Sequence, residues 1–255
     1  MTWFKHATIA VIAGIAVSYT IFDAPAWSLC AGAFVIIYLL ISGIGVFAIR
    51  LNYYCDSVCR GNSGNLKLAL TFDDGPDPEA TPALLDVLKA HGAHATFFCT
   101  GEHAEASPAI IRRIVNEGHT LGNHSYGHKW WTNFLTGKPL NEEILRAQKV
   151  LTDISGRTPA YYRSPMGLTN PHLGPVLREA GLKLIGWDVR PYDRGTPAEI
   201  TAGRVVAAAR DGSIVLLHDG GAFPEDLTAA VTGIIKHFKP LGYTFVSLDQ
   251  LFGDL

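Results

Sequence analysis

Hydrophobic and polar positions follow two different patterns along this chain. Up to residue 50 it is almost entirely apolar, with two nearly uncharged stretches, residues 7–22 and 27–49, on either side of Asp23. The second stretch is long enough to cross a bilayer, which takes about 20 apolar residues, whereas the first spans only marginally. Neither has a polar face for solvent, which argues against two buried core helices. The pattern predicts that residues 1–50 anchor the chain in membrane lipid as a transmembrane helical hairpin.

The orientation of the two stretches decides on which side of the membrane the rest of the chain lies. If both cross, Lys5 before them and Arg50 and Arg60 after them are all cytosolic, as the positive-inside tendency favours. If only the second crosses, the remainder lies outside. Ala24-Pro-Ala also resembles a cleavage site, which leaves a cleaved signal peptide open. We favour the hairpin and predict a multi-pass protein of the cell membrane whose remaining domain faces the cytosol.

After a polar linker over residues 51–65, short apolar runs alternate with amphipathic stretches of about a dozen residues. The apolar runs predict strands near residues 66–72, 95–99, 120–123, 160–163, 182–187, 214–218 and 244–247. The intervening stretches predict helices near residues 81–91, 108–117, 141–155, 171–180, 197–210 and 226–239. Strand–helix alternation of this kind indicates an α/β domain over residues 66–255, with a parallel sheet that is open or closed into a barrel.

Capping residues and glycines mark the ends of these helices. A Ser, Thr or Asn stands before a proline at several predicted starts, where it supplies a capping side chain and the proline suits the first turn. These pairs are Thr81-Pro, Ser107-Pro, Asn170-Pro and Thr196-Pro. Glycines follow the predicted ends, as left-handed caps require: Gly92, Gly118, Gly156, Gly181, Gly212 and Gly242.

Composition narrows the functional classes. The formal net charge is −2 and there is no run of Lys and Arg, which argues against a nucleic-acid partner. Four cysteines are too few for a disulfide scaffold. Cys55 and Cys59 could pair in an oxidising compartment or remain thiols in a reducing one, and as zinc ligands they lack a second pair. No feature of the sequence indicates an oligomeric state.

The side chains that carry chemistry stand at the ends of predicted strands. Asp73 and Asp74 end the first strand, and adjacent carboxylates resist ionising together unless something such as a metal ion relieves the repulsion. Further polar side chains stand at or just after the ends of later strands: His124, His128, Arg163, Trp187, Asp188 and His218. Because active sites of parallel α/β barrels lie at the carboxyl ends of the strands, we expect these side chains to converge.

These residue types suit metal-assisted hydrolysis. Zn²⁺ accepts imidazole nitrogen and carboxylate oxygen, and a catalytic site keeps one position for water. His124 and His128 lie on one face if their segment turns helically, and one Asp would complete three ligands. The second Asp would accept a proton from the bound water, His218 would act as general acid, and Arg163 would hold the basic carboxylate. The other histidines considered are interpreted as surface or capping residues: His91, His94, His103, His119, His172 and His237.

Four motifs resemble the polysaccharide deacetylase family, the metal-dependent esterases of carbohydrate esterase family 4 with a nodulation-protein-B homology domain. The motifs are Thr71-Phe-Asp-Asp-Gly75, His124-Ser-Tyr-Gly-His128, Arg163-Ser-Pro-Met-Gly167 and Leu216-Leu-His218. The resemblance extends from about residue 66 to residue 252. It implies a distorted, irregular (β/α) barrel with fewer than eight strands.

The resemblance also implies a role for each matching residue. Asp73 would be the catalytic base, oriented by Arg163. The metal ligands would be Asp74, His124 and His128. Zinc is preferred from the ligand types, and cobalt, nickel and manganese are also compatible.

The third and fifth motifs imply further roles. The backbone amide of Met166 would stabilise the oxyanion, although the family often has Tyr at this position. Leu216 would line the pocket for the acetyl methyl group. His218 would be the acid.

The fourth motif departs from the family. The family usually has an Asp-Trp pair whose Asp orients the catalytic His, whereas this chain has Arg194 after Asp193. Asp193 is the best candidate to orient His218, with Asp188 second. Trp187 could bind substrate by stacking on a sugar, as could the pair at residues 130 and 131.

The resemblance implies removal of N-acetyl groups from amino sugars of a glycan or a membrane glycolipid. Alternatives are O-deacetylation or deformylation on the same scaffold, and a sugar-binding membrane protein without turnover. A cytosolic site at the membrane would suit a polyprenyl-linked sugar precursor. An outward-facing site would suit peptidoglycan, capsule or chitin-like chains.

Overall fold

The computed structural model describes residues 3–62 and 64–253. It begins with two helices, α1 (Trp3–Ile21) and α2 (Ala24–Phe47), which pack together where Gly14 lies beside the ring of Phe34. Both are long and apolar enough to cross a membrane, and only 6% of an 18-residue apolar stretch in each helix is buried. Such helices near an N-terminus fit a membrane anchor and also fit a signal sequence. The expected hairpin is present, and its insertion in a membrane stays a prediction.

The rest of the chain alternates strands and helices. The strands are β1 (Ser57–Val58), β2 (Lys67–Asp73), β3 (Ala95–Cys99), β4 (Thr120–Asn123), β5 (Tyr161–Tyr162), β6 (Lys183–Ile185), β7 (Ile214–His218) and β8 (Thr244–Phe245). The helices are α3 (Ala80–Ala90), α4 (Gly101–Ala106), α5 (Pro108–Asn116), α6 (Gly137–Ser155), α7 (Leu173–Glu179), α8 (Ala198–Ala208), α9 (Pro224–Phe238) and α10 (Leu248–Phe252). All pairs between these strands are parallel, as the alternation predicted.

The strands form a curved sheet in the order β1-β6-β5-β4-β3-β2-β7, and β8 pairs with the start of β2. Beyond β6 the chain reaches the opposite edge, where Val189 forms a parallel bridge to Val215 of β7. The sheet therefore curls into the distorted barrel that was predicted. Over residues 3–62 and 64–253 the sheet has eight strands, whereas fewer than eight were expected. The one strand that was not predicted is the two-residue β1, whose short pairing carries no hydrophobic pattern of its own.

Strand β2 shows how the alternating pattern orients the site. Successive side chains of a strand point to opposite faces. Leu70 and Phe72 belong to the main hydrophobic core together with residues of α3, α5 and α9. Thr71 and Asp73 alternate with them and face the inside of the barrel, where both accept hydrogen bonds from Arg163. The strand thus ends with a carboxylate directed into the barrel at its carboxyl end.

The structure departs from the predicted elements in a few places. Residues 51–65, expected to be a polar linker, contain β1 and bury Tyr53 and Tyr54. Helix α4, between β3 and α5, was not predicted. Residues 124–128 form a loop and not a helical turn, with left-handed backbone at Ser125 and His128. The first difference depends on contacts with elements distant in sequence, which local patterns do not encode: β1 pairs with β6, far along the chain.

Candidate active site

A cleft of about 520 Å³ opens at the carboxyl ends of β2, β4 and β7. It is lined by Asp73, Asp74, His124, His128, Met166, Gly167, Trp187, Arg190, Tyr192, Asp193, Arg194, Leu216 and His218. The predicted base, acid, metal ligands and Asp193 are all in this lining, as are Met166, Leu216 and Trp187. Arg163 is not, because it is fully buried and bonded to Asp73. Asp188 and the tryptophans at residues 130 and 131 also lie outside the lining. The structure therefore brings together side chains that the sequence placed at separate strand ends.

Asp74, His124 and His128 form a cluster that could hold a metal ion. Oδ1 of Asp74 lies 3.2 Å from Nε2 of His124 and 3.2 Å from Nε2 of His128. This oxygen is buried and has no hydrogen-bond partner in the part of the chain that the structure describes. Nδ1 of His124 donates to the carbonyl oxygen of Arg163 at 2.8 Å, so in the neutral imidazole it is Nε2 that has the lone pair. An unsatisfied oxygen and two converging imidazole nitrogens fit a divalent metal such as Zn²⁺.

The electrostatics of the cluster favour a bound cation. Burial alone would raise the pKa of Asp74, but the adjacent histidines hold it below its usual value. Burial alone would lower the pKa of His124, but Asp73 and Asp74 outweigh it and raise that pKa. Burial and the neighbouring His124 lower the pKa of His128. The two carboxylates therefore attract positive charge to this point, and a metal ion would displace the proton from His124.

The second carboxylate is held by a buried arginine. Oδ1 of Asp73 accepts a hydrogen bond of 2.8 Å from Nη1 of Arg163, and its Oδ2 lies 3.9 Å from Nε2 of His124. Nη1 also donates to Oγ1 of Thr71 at 2.6 Å, and Nη2 donates to the carbonyl of Gly186 at 2.9 Å. Burial lowers the pKa of Arg163, and the charge of Asp73 opposes that effect. These bonds fix the orientation of the Asp73 carboxylate beside the three candidate metal ligands.

His218 is oriented by Asp193. Its Nδ1 lies 2.9 Å from Oδ1 of Asp193, and its backbone N–H donates to Oδ2 at 2.8 Å. Asp188, the second candidate for this role, instead accepts bonds from the hydroxyl of Ser213 and the backbone N–H of Ile214, both at 2.8 Å. The bond to Asp193 leaves Nε2 of His218 available in the cleft.

The departure in the fourth motif has a direct structural consequence. Nη2 of Arg194 donates to Oδ2 of Asp74 and, at 3.0 Å, to the carbonyl of Gly220. The two carboxylate oxygens of Asp74 therefore face different partners, since Oδ1 faces the histidines and Oδ2 faces Arg194. An exposed cation thus stands where the family usually has an indole ring.

The three predicted substrate-binding residues line the cleft. Met166 is 49% exposed, with left-handed backbone (φ 56°). Gly167 follows with φ 71°, and a Cβ there would lie 2.3 Å from the ring of Trp187. Leu216, in the middle of β7, is buried. Two further aromatic residues proposed for sugar stacking, Trp130 and Trp131, are exposed but are not part of this lining.

The sequence reasoning missed several residues around the site. His103 is exposed, as the interpretation of a surface or capping residue expected, but its bond through Nδ1 to the backbone carbonyl of Asp74 at 2.8 Å was not anticipated. Asp219 is fully buried, accepts a bond of 2.6 Å from Thr81, and burial raises its pKa to about 7. Its position directly after His218 was the available signal. Arg190 was also missed, because no neighbouring sequence pattern distinguishes it.

Comparison with known proteins adds to this geometry. The family model for polysaccharide deacetylase matches residues 60–185. The peptidoglycan-N-acetylglucosamine deacetylase PgdA of Listeria monocytogenes is 38% identical over 191 residues, which cover 74% of this chain and 40% of that protein. A chitooligosaccharide deacetylase of a Bradyrhizobium species is 37% identical over 179 residues, which cover 69% of this chain and 78% of that protein. The chain belongs to the polysaccharide deacetylase family.

The fold agrees with that membership. The solved structure of the Bc1960 peptidoglycan N-acetylglucosamine deacetylase superposes with a TM-score of 0.72 at 34% identity. The match covers 76% of this chain and 91% of that one. The predicted resemblance to the polysaccharide deacetylase family is confirmed, and so is the irregular barrel that it implied. The chain spans less than half the length of the Listeria protein.

Proposed function

We propose that this chain is a metal-dependent hydrolase that removes N-acetyl groups from amino sugars of a glycan or a membrane glycolipid. The observation that carries the proposal is the content of one cleft, which joins an arginine-bound carboxylate, a three-residue metal cluster and a histidine–aspartate pair. The relatives are named for deacetylation of N-acetylglucosamine in peptidoglycan or of chitooligosaccharides, which supports this substrate class.

The metal-binding residues and the base would act together on the attacking water. Asp74, His124 and His128 would hold the ion, and zinc suits these ligands best, with cobalt, nickel or manganese as alternatives. When bound, the ion would act as a Lewis acid that polarises the acetyl carbonyl and acidifies water. Asp73, oriented by Arg163, would accept a proton from the water while the oxygen of the water forms a bond to the carbonyl carbon.

His218 would complete the reaction as general acid. Because Nδ1 is bonded to Asp193, Nε2 is the atom that can donate a proton to the departing nitrogen. The carbon–nitrogen bond then breaks and leaves acetate and a free amine. The backbone amide of Met166 would stabilise the developing oxyanion, and Leu216 would contact the acetyl methyl group.

The site of action follows from the apolar hairpin. We propose that both helices cross the cell membrane and that the catalytic domain faces the cytosol. Membrane-bound sugar precursors on a polyprenyl carrier would then be accessible. A single anchor or a cleaved signal would place the domain outside, where wall polymers are the available substrates.

Acetate release by the purified full chain tests the proposal. We expect turnover of an N-acetylglucosamine oligomer that is abolished by a chelator and restored by Zn²⁺. Asp73→Asn and His218→Ala should lower kcat by at least about a hundredfold, as is typical for a lost general base or acid. The exposed residues Asp153 and His172 offer matched controls, Asp153→Asn and His172→Ala, which should retain activity. Full activity of Asp73→Asn would refute the mechanism.

Analysis of the products separates the alternative reactions. Acetate with a free amine supports N-deacetylation, acetate with a free hydroxyl supports O-deacetylation, and formate supports deformylation. Stoichiometric metal without turnover on any acetylated sugar would favour a sugar-binding protein and contradict the proposal.

A further inference from the structure

Arg190 is a cation on the wall of the cleft. Its guanidinium carbon lies 4.9 Å from the ring centroid of Tyr192 and 5.6 Å from that of Trp187. No carboxylate of residues 3–62 or 64–253 forms an ion pair with it. Contact with two aromatic faces limits the freedom of the side chain and leaves its N–H donors unused.

The three carboxylates of the cleft each have a partner other than Arg190. Asp73 is bonded to Arg163, and Asp193 is bonded to His218. Asp74 already has Arg194 on one oxygen and the histidine pair on the other. The positive charge of Arg190 is therefore directed to something other than this chain.

A second cation lies beside the same aromatic residue. Nε of Arg50, just after the apolar hairpin, donates to the backbone carbonyl of Trp187 at 2.9 Å. Arg50 is exposed and, like Arg190, has no carboxylate partner among the residues that the structure describes. Arg50 therefore contacts the backbone of Trp187, whereas Arg190 contacts its ring, and only Arg190 is part of the lining of the cleft.

We propose that Arg190 is a specificity-determining residue that binds a phosphoryl group carried by the amino-sugar substrate. This rests on the proposed deacetylase function and narrows its substrate to a phosphorylated N-acetyl sugar. A guanidinium binds phosphate oxygens by charge-assisted, often bidentate hydrogen bonds. A soluble sugar phosphate and a lipid-linked sugar phosphate both present this group.

The test compares charged and neutral substrates on the full chain in detergent micelles. Acetate release and calorimetric binding are measured for N-acetylglucosamine 1-phosphate and for the neutral methyl glycoside of N-acetylglucosamine. We expect the sugar phosphate to bind at least about tenfold more tightly than the methyl glycoside, as one charge-assisted contact would give. In the acetate-release assay the difference should lie mainly in KM. Arg190→Gln should remove this preference and Arg190→Lys should restore part of it. The exposed Arg112 supplies the control, and Arg112→Gln should keep the preference.

The outcomes separate this inference from the function on which it rests. Equal binding of the two sugars, or an unchanged preference in Arg190→Gln, would overturn the anion site even if acetate is released. No acetate from any sugar would refute the deacetylase, while calorimetry would still report whether Arg190 binds the phosphate. A polyprenyl diphosphate-linked N-acetylglucosamine in the same micelles identifies the source. Arg190-dependent binding tighter than that of the soluble phosphate assigns a lipid-linked substrate, and Arg190-dependent binding of equal strength assigns a soluble one.

Discussion

At the scale of single residues, two adjacent aspartates have different surroundings because the backbone changes between them. Asp73 is the last residue of β2 and follows the alternation of the strand into the barrel. Asp74 has left-handed backbone (φ 71°), which turns its carboxylate towards the histidines. One carboxylate is consequently bonded to Arg163, and the other is left with an oxygen free for a metal. The two neighbours can therefore take the separate roles of base and ligand.

Replacing Arg163 by lysine tests the buried ion pair. An ammonium cannot make the fork of bonds to Asp73, Thr71 and Gly186, so buried acceptors would lose their donors. We expect Arg163→Lys to lower the free energy of unfolding by about 1–3 kcal/mol for each buried acceptor left unpaired, and to reduce kcat strongly. Chemical denaturation and acetate release measure the two effects. The exposed control Arg112→Lys should change stability by less than about 0.5 kcal/mol. Unchanged stability of Arg163→Lys would contradict this account.

At the scale of elements, the strands are joined by side chains as well as by the sheet. His119, interpreted from the sequence as a surface or capping residue, is buried just before β4. Its Nδ1 accepts a hydrogen bond of 3.1 Å from the backbone N–H of Ala95, the first residue of β3. The neutral imidazole therefore supports the start of both strands. Its sequence context, Gly118-His-Thr, shows none of this, because the donor lies in another strand.

This contact predicts a pH dependence of stability. Burial lowers the pKa of His119 to about 4, from 6.5 for an exposed imidazole. The unfolded chain therefore binds more protons between these values, so stability is complete above pH 6.5 and falls as the pH drops towards 4. The loss should amount to roughly 3 kcal/mol.

Thermal unfolding between pH 7 and pH 4 measures this effect. The substitution His119→Asn keeps a hydrogen-bond acceptor but removes the titrating group, so its stability should depend less on pH. His172→Asn changes an exposed histidine, and its stability should depend on pH as steeply as that of the unaltered protein. If the stability of the unaltered protein and of both variants changes equally with pH, His119 does not titrate in this way.

At the scale of the whole molecule, the apolar hairpin is attached close to the cleft. Thr169, two residues after Gly167, donates through its backbone N–H to Val46 and through its hydroxyl to Gly45, both at 3.0 Å. The ring of Tyr53 packs against Gly45, where a Cβ would lie 2.3 Å from it. A hairpin inserted in a bilayer would thus hold the cleft near the membrane surface.

Paired reporters fused after the last residue test the membrane topology. We predict a signal from the reporter that fluoresces only in the cytosol, because Lys5 and Arg50 lie at the two outer ends of the hairpin and favour the cytosolic side. Activity of the partner reporter, which functions only outside the cell, would contradict the hairpin topology. It would indicate a single anchor or a cleaved signal, and would direct assays to wall and capsule polymers.

The sequence by itself determined the α/β architecture, the apolar hairpin and most of the chemically active side chains that meet in the cleft, and the resemblance of its motifs implied the barrel. Hydrophobic alternation locates the strands, and parallel strands bring their carboxyl ends to one edge whatever their order, so Asp73, His124 and His218 could be expected together. Only the tertiary structure decided which partners those side chains have. It bonded His218 to Asp193 and not to Asp188, and among the described residues it placed no carboxylate in an ion pair with Arg190. Such pairings depend on distances between segments far apart in the chain, and no local pattern of residues records them.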